Sequence, residues 1–98
     1  MTKHWALFYE GDDDYIEKRQ PYRGDHLAYA TAAVERGEML HGGALGNPPT
    51  GSLLTFVGDT AEVAENFARN DPYVVNGVVT RWRVERWIVV LGEGAEAI

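Results

Sequence analysis

Ala61-Glu62-Val63-Ala64-Glu65-Asn66-Phe67-Ala68-Arg69-Asn70-Asp71-Pro72-Tyr73 is an amphipathic helix that runs into a hard stop. Val63, Ala64, Phe67 and Ala68 recur at helical spacing, with Glu62, Glu65 and Arg69 on the opposite side. Asp59 or Thr60 can cap its start. Pro72 has no backbone N–H and biases Asp71 away from the helical region. The Asp71 carboxylate is thereby fixed on a turn at a helix end. One reading of this turn is a plain helix stop. The other pairs Asp71 with His26, on an earlier helix, as a carboxylate–imidazole couple in a pocket.

Downstream, Asn76-Gly77 signals a further turn, and Val78 to Leu91 reads as one long strand. Trp82, Val84 and Ile88 share one face of it, while Arg83, Glu85, Trp87 and Val89 share the other. Gly92 to Ile98 reads as a frayed tail, leaving an ordered core over about residues 3–91 of a single domain spanning 1–98. Upstream, Glu38 to Leu45 and Ser52 to Val57 are short strands joined through the turn-rich stretch Gly46-Asn47-Pro48-Pro49-Thr50-Gly51. Gly42-Gly43 in the first of them permits close approach of backbone to a ligand, and is equally what a bulge requires.

Pro21 to Arg36 reads as a helix, with Pro21 in its first turn and Gly37 as its stop. Arg23, Leu27, Ala30 and Val34 fall on one stripe, flanked by His26 and Ala33. Arg23 and His26 therefore lie about one turn apart. Each has an ordinary reading too, Arg23 as a solvated cation and His26 as a partly buried histidine bonded to backbone. Lys3 to Glu10 is a strand with apolar residues on both faces: Trp5, Leu7 and Tyr9 on one, His4, Ala6 and Phe8 on the other. Gly11 to Arg19 reads as a solvated polar connection, since Asp12-Asp13-Asp14 lacks the spacing of a calcium loop.

The 98 residues suit one domain, and 45% hydrophobic with 24% charged residues is the balance of a folded globule. No cysteine is present, so thiolate chemistry and cysteine metal sites are excluded. His4, His26 and His41 show no metal-ligand spacing, and neither a metal nor another cofactor is expected. A net charge of −6, with no basic run, argues against a nucleic-acid partner. Trp5-Ala6-Leu7-Phe8-Tyr9 is too short for a signal-peptide core or a membrane span, so a cytoplasmic protein without a membrane partner is expected.

The order strand, helix, strand, strand, helix, strand is that of the α+β, ferredoxin-like βαββαβ fold. Its helices cover one face of an antiparallel sheet. Apolar residues on both strand faces imply that the second face also packs on something, and a symmetric homodimer, or a higher oligomer, is expected.

The chain resembles the YCII-related family of small dimeric α+β-barrel proteins. The residues that carry the resemblance are Arg23-Gly24-Asp25-His26-Leu27, Gly42-Gly43, and Asn70-Asp71-Pro72-Tyr73 with Gly77. It extends to about Trp87, and departs from the family where Gly43-Ala44 stands in place of a frequent Gly-Pro. The resemblance implies a pocket between helices and sheet, with His26 and Asp71 as the catalytic pair. Arg23, Tyr73 and Gly43 are the expected substrate contacts. One kind of member is similar to a dehydrochlorinase acting on a chlorinated hydroxyquinol.

An imidazole titrates near pH ~6.5, and a carboxylate on one ring nitrogen fixes its tautomer and stabilises the imidazolium. Arg23 can hold an anionic or phenolic oxygen, and Tyr73 can pack on a ring or give a hydrogen bond. The function expected on these grounds is cofactor-free proton transfer on a small-molecule ligand, of the elimination (lyase) or isomerisation type. The alternative is a non-catalytic ligand-binding or dimerisation domain.

Overall fold

The computed structural model describes residues 3–96. Strand β1 (Lys3–Glu10) leads through helix α1 (Tyr15–Arg19) and a 3₁₀ turn (Gln20–Tyr22) into helix α2 (Arg23–Glu35). Strands β2 (Met39–Leu45) and β3 (Gly51–Gly58) form a hairpin. Helix α3 (Glu62–Asn70), the one-turn helix α4 (Pro72–Val75) and strand β4 (Arg81–Trp87) complete the chain. The sheet order is β2-β3-β1-β4, and each neighbouring pair is antiparallel. This is the ferredoxin-like α+β arrangement that the element order predicts. No helix among the described residues is long and apolar enough to cross a membrane.

Register assigns the two sheet faces. Trp5, Leu7 and Tyr9 of β1 stand opposite Phe56, Leu54 and Ser52 of β3, and opposite Arg86, Val84 and Trp82 of β4. This face carries the core: Leu7, Tyr9, Leu54 and Phe56 pack with Ala33 of α2 and with Ala64, Phe67 and Ala68 of α3. Small residues at Ala33, Ala64 and Ala68 let both helices approach the sheet closely, and all three are fully buried. The second face displays Ala6, Phe8, Leu53, Thr55, Arg83, Glu85 and Trp87, with the Arg83 guanidinium 4.2 Å from the centre of the Phe8 ring.

Four expectations change on contact with the structure. The polar connection before α2 contains a helix. Tyr15 is buried there and its hydroxyl meets Ser52 Oγ at 3.0 Å, so one aromatic side chain ties an otherwise acidic segment to the sheet.

The buried stripe of α2 is turned by about one residue. His26 and Ala33 are buried with Tyr29 and Ala30 beside them, while Leu27 and Val34 are each 47% exposed. Tyr29 fixes this phase in part, because its hydroxyl donates to the Phe67 carbonyl on α3 at 2.9 Å. Strand β4 stops at Trp87 rather than continuing to Leu91. Its last paired residue there is Trp87, opposite His4.

The segment after Gly92, expected to fray, folds back through Glu96. The Glu96 carboxylate lies 2.7 Å from the Arg86 guanidinium, and its N–H donates to the Val89 carbonyl at 2.7 Å. Gly94, at φ +81°, passes so near the His4 ring that a side chain there would meet it at 2.9 Å. The last two residues of that tail lie outside the described ones.

Candidate active site

Asp71 occupies the corner between α3 and α4. Because Pro72 follows, Asp71 is extended, at φ −68° and ψ 129°, and it ends α3. Pro72 then sits at the first position of α4, where a missing N–H costs nothing. The Asp71 side chain caps α4 by accepting the Tyr73 N–H at Oδ1, 2.9 Å. Gly77, at φ +74°, closes the turn, and the N–H groups of Val78 and Val79 both donate to the Tyr73 carbonyl at 2.9 and 3.0 Å. The Asp-Pro-Tyr stretch is therefore a complete local device for holding one carboxylate in one orientation.

That carboxylate has no exposed surface. The Tyr9 hydroxyl, from the middle of the sheet, donates to Oδ2 at 2.7 Å. His26 Nδ1, from the first turn of α2, lies 2.8 Å from Oδ1 and 2.9 Å from Oδ2. A carboxylate only accepts, so the His26 proton belongs on Nδ1. Nε2 makes no hydrogen bond with the described residues. The ring is clamped from the side as well, stacked on Tyr73 with centroids 3.8 Å apart and planes within 6°.

His26 lines a cavity of about 200 Å³ between α1, α2 and the β2 edge of the sheet. Arg19, Arg23, Gly42, Gly43 and Tyr73 line it with His26. Asp71 lies behind the imidazole and does not reach it. The arrangement places an imidazole at a small cavity with a buried carboxyl group behind it. Burial pushes the Tyr73 hydroxyl above the usual phenol range, with the Arg23 guanidinium drawing it partly back. It therefore stays a proton donor at neutral pH. Among the described residues, no group of three or more His, Asp or Glu side chains is placed to hold a metal.

The structure brings Arg23, His26, Tyr73 and Gly43 to one cavity and Asp71 into contact with two of them. The two glycines differ in what they contribute. Gly42 stands opposite Leu54, and a side chain there would project toward the Leu54 and Met39 side chains on the helix side of the sheet. Gly43 stands opposite Leu53, on the other face, and reaches the cavity with its backbone alone. The strand irregularity lies earlier, between Met39 and His41, so the glycines are not the bulge.

Two residues escape sequence reasoning. Tyr9 reads only as an inward strand position, and its sole signal is a phenol placed at the sheet centre. Arg19 sits in the segment read as a solvated loop. Burial raises the Tyr9 hydroxyl far above the phenol range, and the neighbouring Asp71 charge adds to this, so Tyr9 is a permanent donor.

An antiparallel four-stranded sheet with a buried imidazole–carboxylate couple opening on a small cavity defines the class: a ferredoxin-like α+β protein with a polar pocket between helices and sheet. The model of the YCII-related domain matches residues 3–88, and the chain belongs to that family. Among solved structures, the chain is similar to 5-chloro-2-hydroxyhydroquinone dehydrochlorinase from Burkholderia phenoliruptrix AC1100, in complex with 2,5-dihydroxybenzoquinone. The TM-score is 0.74 at 21% identity, covering 95% of this chain and 99% of that one. No curated protein sequence matches this one.

Removing the Tyr9 hydroxyl leaves one oxygen of a buried carboxylate short of a donor. Tyr9→Phe should lower unfolding free energy by about 1.5–3 kcal/mol in urea titration, the range for a bond to a charged group. A loss below about 0.5 kcal/mol would show that the bond contributes nothing to holding Asp71.

Proposed function

We propose that this protein is a cofactor-free small-molecule enzyme that moves a proton with His26, in an elimination or isomerisation. The observation that carries the reading is the His26 ring, which lines the cavity and has Nδ1 tied to buried Asp71 at 2.8 Å. In this reading Nε2 takes a proton from a C–H or O–H of the ligand, and Asp71 stabilises the imidazolium that results. The electron pair then expels a leaving group, or the proton returns at another atom. Arg23 and Tyr73 hold the oxygen on which charge develops. The cavity is smaller than the ~300–1,000 Å³ of drug-sized sites, which favours a single-ring or short-chain ligand. The dehydrochlorinase neighbour, with its dihydroxyquinone, supports a hydroxylated ring as the first ligand to try.

The couple acts as one unit on this account, and its mutants should be non-additive. With 5-chloro-2-hydroxyhydroquinone as first substrate, followed by chloride release, His26→Ala should remove nearly all turnover. Asp71→Asn should remove much of it by favouring the wrong tautomer, and the double mutant should be little worse than His26→Ala. Losses that multiply would assign the two residues separate roles. Exchange of ligand protons for deuterium in D₂O, read by NMR over a small-molecule library, extends the test to other substrates. Wild-type protein that exchanges no proton faster than the His26→Ala variant would end the proposal.

The glycine wall belongs to the same site. Gly42→Val should fill the cavity and weaken binding of 2,5-dihydroxybenzoquinone, with little change in melting temperature. Gly43→Val, on the other sheet face, should leave that binding nearly intact. The reverse order would mean that Gly43, and not Gly42, sets the cavity's volume.

We also infer a symmetric homodimer packed over the second sheet face. Phe8, Leu53 and Trp87 lie there, Trp87 is 47% exposed, and the molecule's shortest extent is 18 Å. Light scattering at micromolar concentration should give twice the chain mass, and Trp87→Glu should halve it. A wild-type monomer would sink the dimer.

A further inference from the structure

The seven arginines among the described residues divide by their partners. Arg36, Arg81, Arg83 and Arg86 each pair with a carboxylate, respectively Glu38, Glu10, Glu85 and Glu96. Arg69 takes the Asn66 side-chain oxygen at 3.1 Å. Arg19 and Arg23 alone have no carboxylate or amide-oxygen partner among the described residues; both line the His26 cavity, where the Arg23 guanidinium acts on the Tyr73 hydroxyl. The chain carries fifteen acidic residues and a net charge of −6, yet neither of these two guanidiniums meets a carboxylate among the described residues. No Asp or Glu lines that cavity.

A second observation converges on the same place. Arg19 Nε and the Tyr73 hydroxyl are both buried and have no hydrogen-bond partner. Tyr73 as a whole is 2% exposed. Buried donors without acceptors are costly, and two of them on one cavity imply a ligand that brings the acceptors. Arg19 is held for this task, since its guanidinium lies 5.6 Å from the centre of the Tyr15 ring, and Tyr15 is in turn anchored to Ser52.

We propose that Arg19, Arg23 and the Tyr73 hydroxyl form an oxyanion subsite, so that the cavity takes its ligand as a preformed anion: an ionised phenol or enol, or a carboxylate. This deepens the proton-transfer reading by naming the ligand's charge state and by adding Arg19 to the site. A planar guanidinium offers two parallel N–H groups to such an oxygen pair, and Tyr73 supplies a neutral donor. The anion's charge also matches the chemistry at Nε2. A ring or chain already ionised at one oxygen can delocalise the electron pair left by the proton that His26 removes.

The test is binding, read by thermal shift and calorimetry with three anions and their uncharged counterparts. The anions are oxalate, salicylate and 2,5-dihydroxybenzoquinone; the counterparts are oxamide, salicylamide and 2,5-dimethoxybenzoquinone. At least one anion should raise the melting temperature while its counterpart does not. Arg19→Met, which keeps the stem over Tyr15, should weaken that anion about tenfold or more, with Arg19→Lys between the two. If Arg19→Met does not fold, Arg23→Met makes the same comparison. Anion binding to the wild-type protein is read without turnover, so loss of chloride release with anion binding intact would count against the proton-transfer reading and not against the subsite. Binding of no anion, equal binding of the neutral counterparts, or wild-type affinity in folded Arg19→Met would each overturn the proposal.

Discussion

A carboxylate with no exposed surface must be compensated inside the protein, and Asp71 is compensated by donors from three separate elements. Tyr9 reaches it from β1, His26 from α2 and the Tyr73 N–H from α4. Uncompensated, such a charge would cost several kcal/mol, and breaking one partner of a buried ionic contact typically costs about 3–5 kcal/mol. That magnitude exceeds what any single apolar residue of α2 stands to gain by turning inward, about 1.5–3 kcal/mol for full burial. The comparison explains why Leu27 and Val34 remain half exposed. The helix is phased by its histidine, and its hydrophobic residues settle where that phase leaves them.

The same sheet separates two kinds of surface. On the helix side, β2 presents Gly42 rather than a side chain, so space remains between the strand edge and α2. The donors lining that space include the guanidiniums of Arg19 and Arg23 and the Tyr73 hydroxyl, set among apolar walls such as Leu27 and Leu54. At long range, a chain of net charge −6 repels anions. The anion recognition proposed here is therefore short-ranged, through oriented N–H and O–H groups in a partly enclosed site where they are worth more than in water. Salt will screen the long-range repulsion more than the contacts themselves.

How much of this could be read from the chain depends on whether the deciding interaction is local. The Asp71-Pro72-Tyr73 corner was legible because proline acts on its immediate neighbour. The strand–helix order was legible because four of its segments carry clear periods, and α3 places its buried stripe where the pattern puts it. The phase of α2 was not legible, because apolar residues lie all round it and a contact 45 residues away decides. Strand β4 looked longer than it is because Ile88 to Leu91 keep the apolar, β-branched character of the paired residues before them. Helix α1 was hidden by three aspartates, and only Tyr15 betrayed it. The pairing of His26 with Asp71 rested on resemblance; spacing alone gives a histidine near a helix start and a carboxylate near a helix end.

Strand β1 connects these facts. Successive residues on it point to opposite faces, so Tyr9, which holds Asp71, is flanked by Phe8 on the far side, under the Arg83 guanidinium. Whatever packs on the second face presses on Phe8, and therefore on the strand that positions the Tyr9 hydroxyl. A shift of β1 would lengthen the 2.7 Å bond to a carboxylate that has three partners among the described residues. The other two partners cannot follow, because the Tyr73 N–H is fixed by its own helical turn and His26 is clamped against the Tyr73 ring. Stiffness at the couple is thus a property of the whole sheet. The central strand is where the geometry of the cavity and the covering of the open face become one mechanical problem.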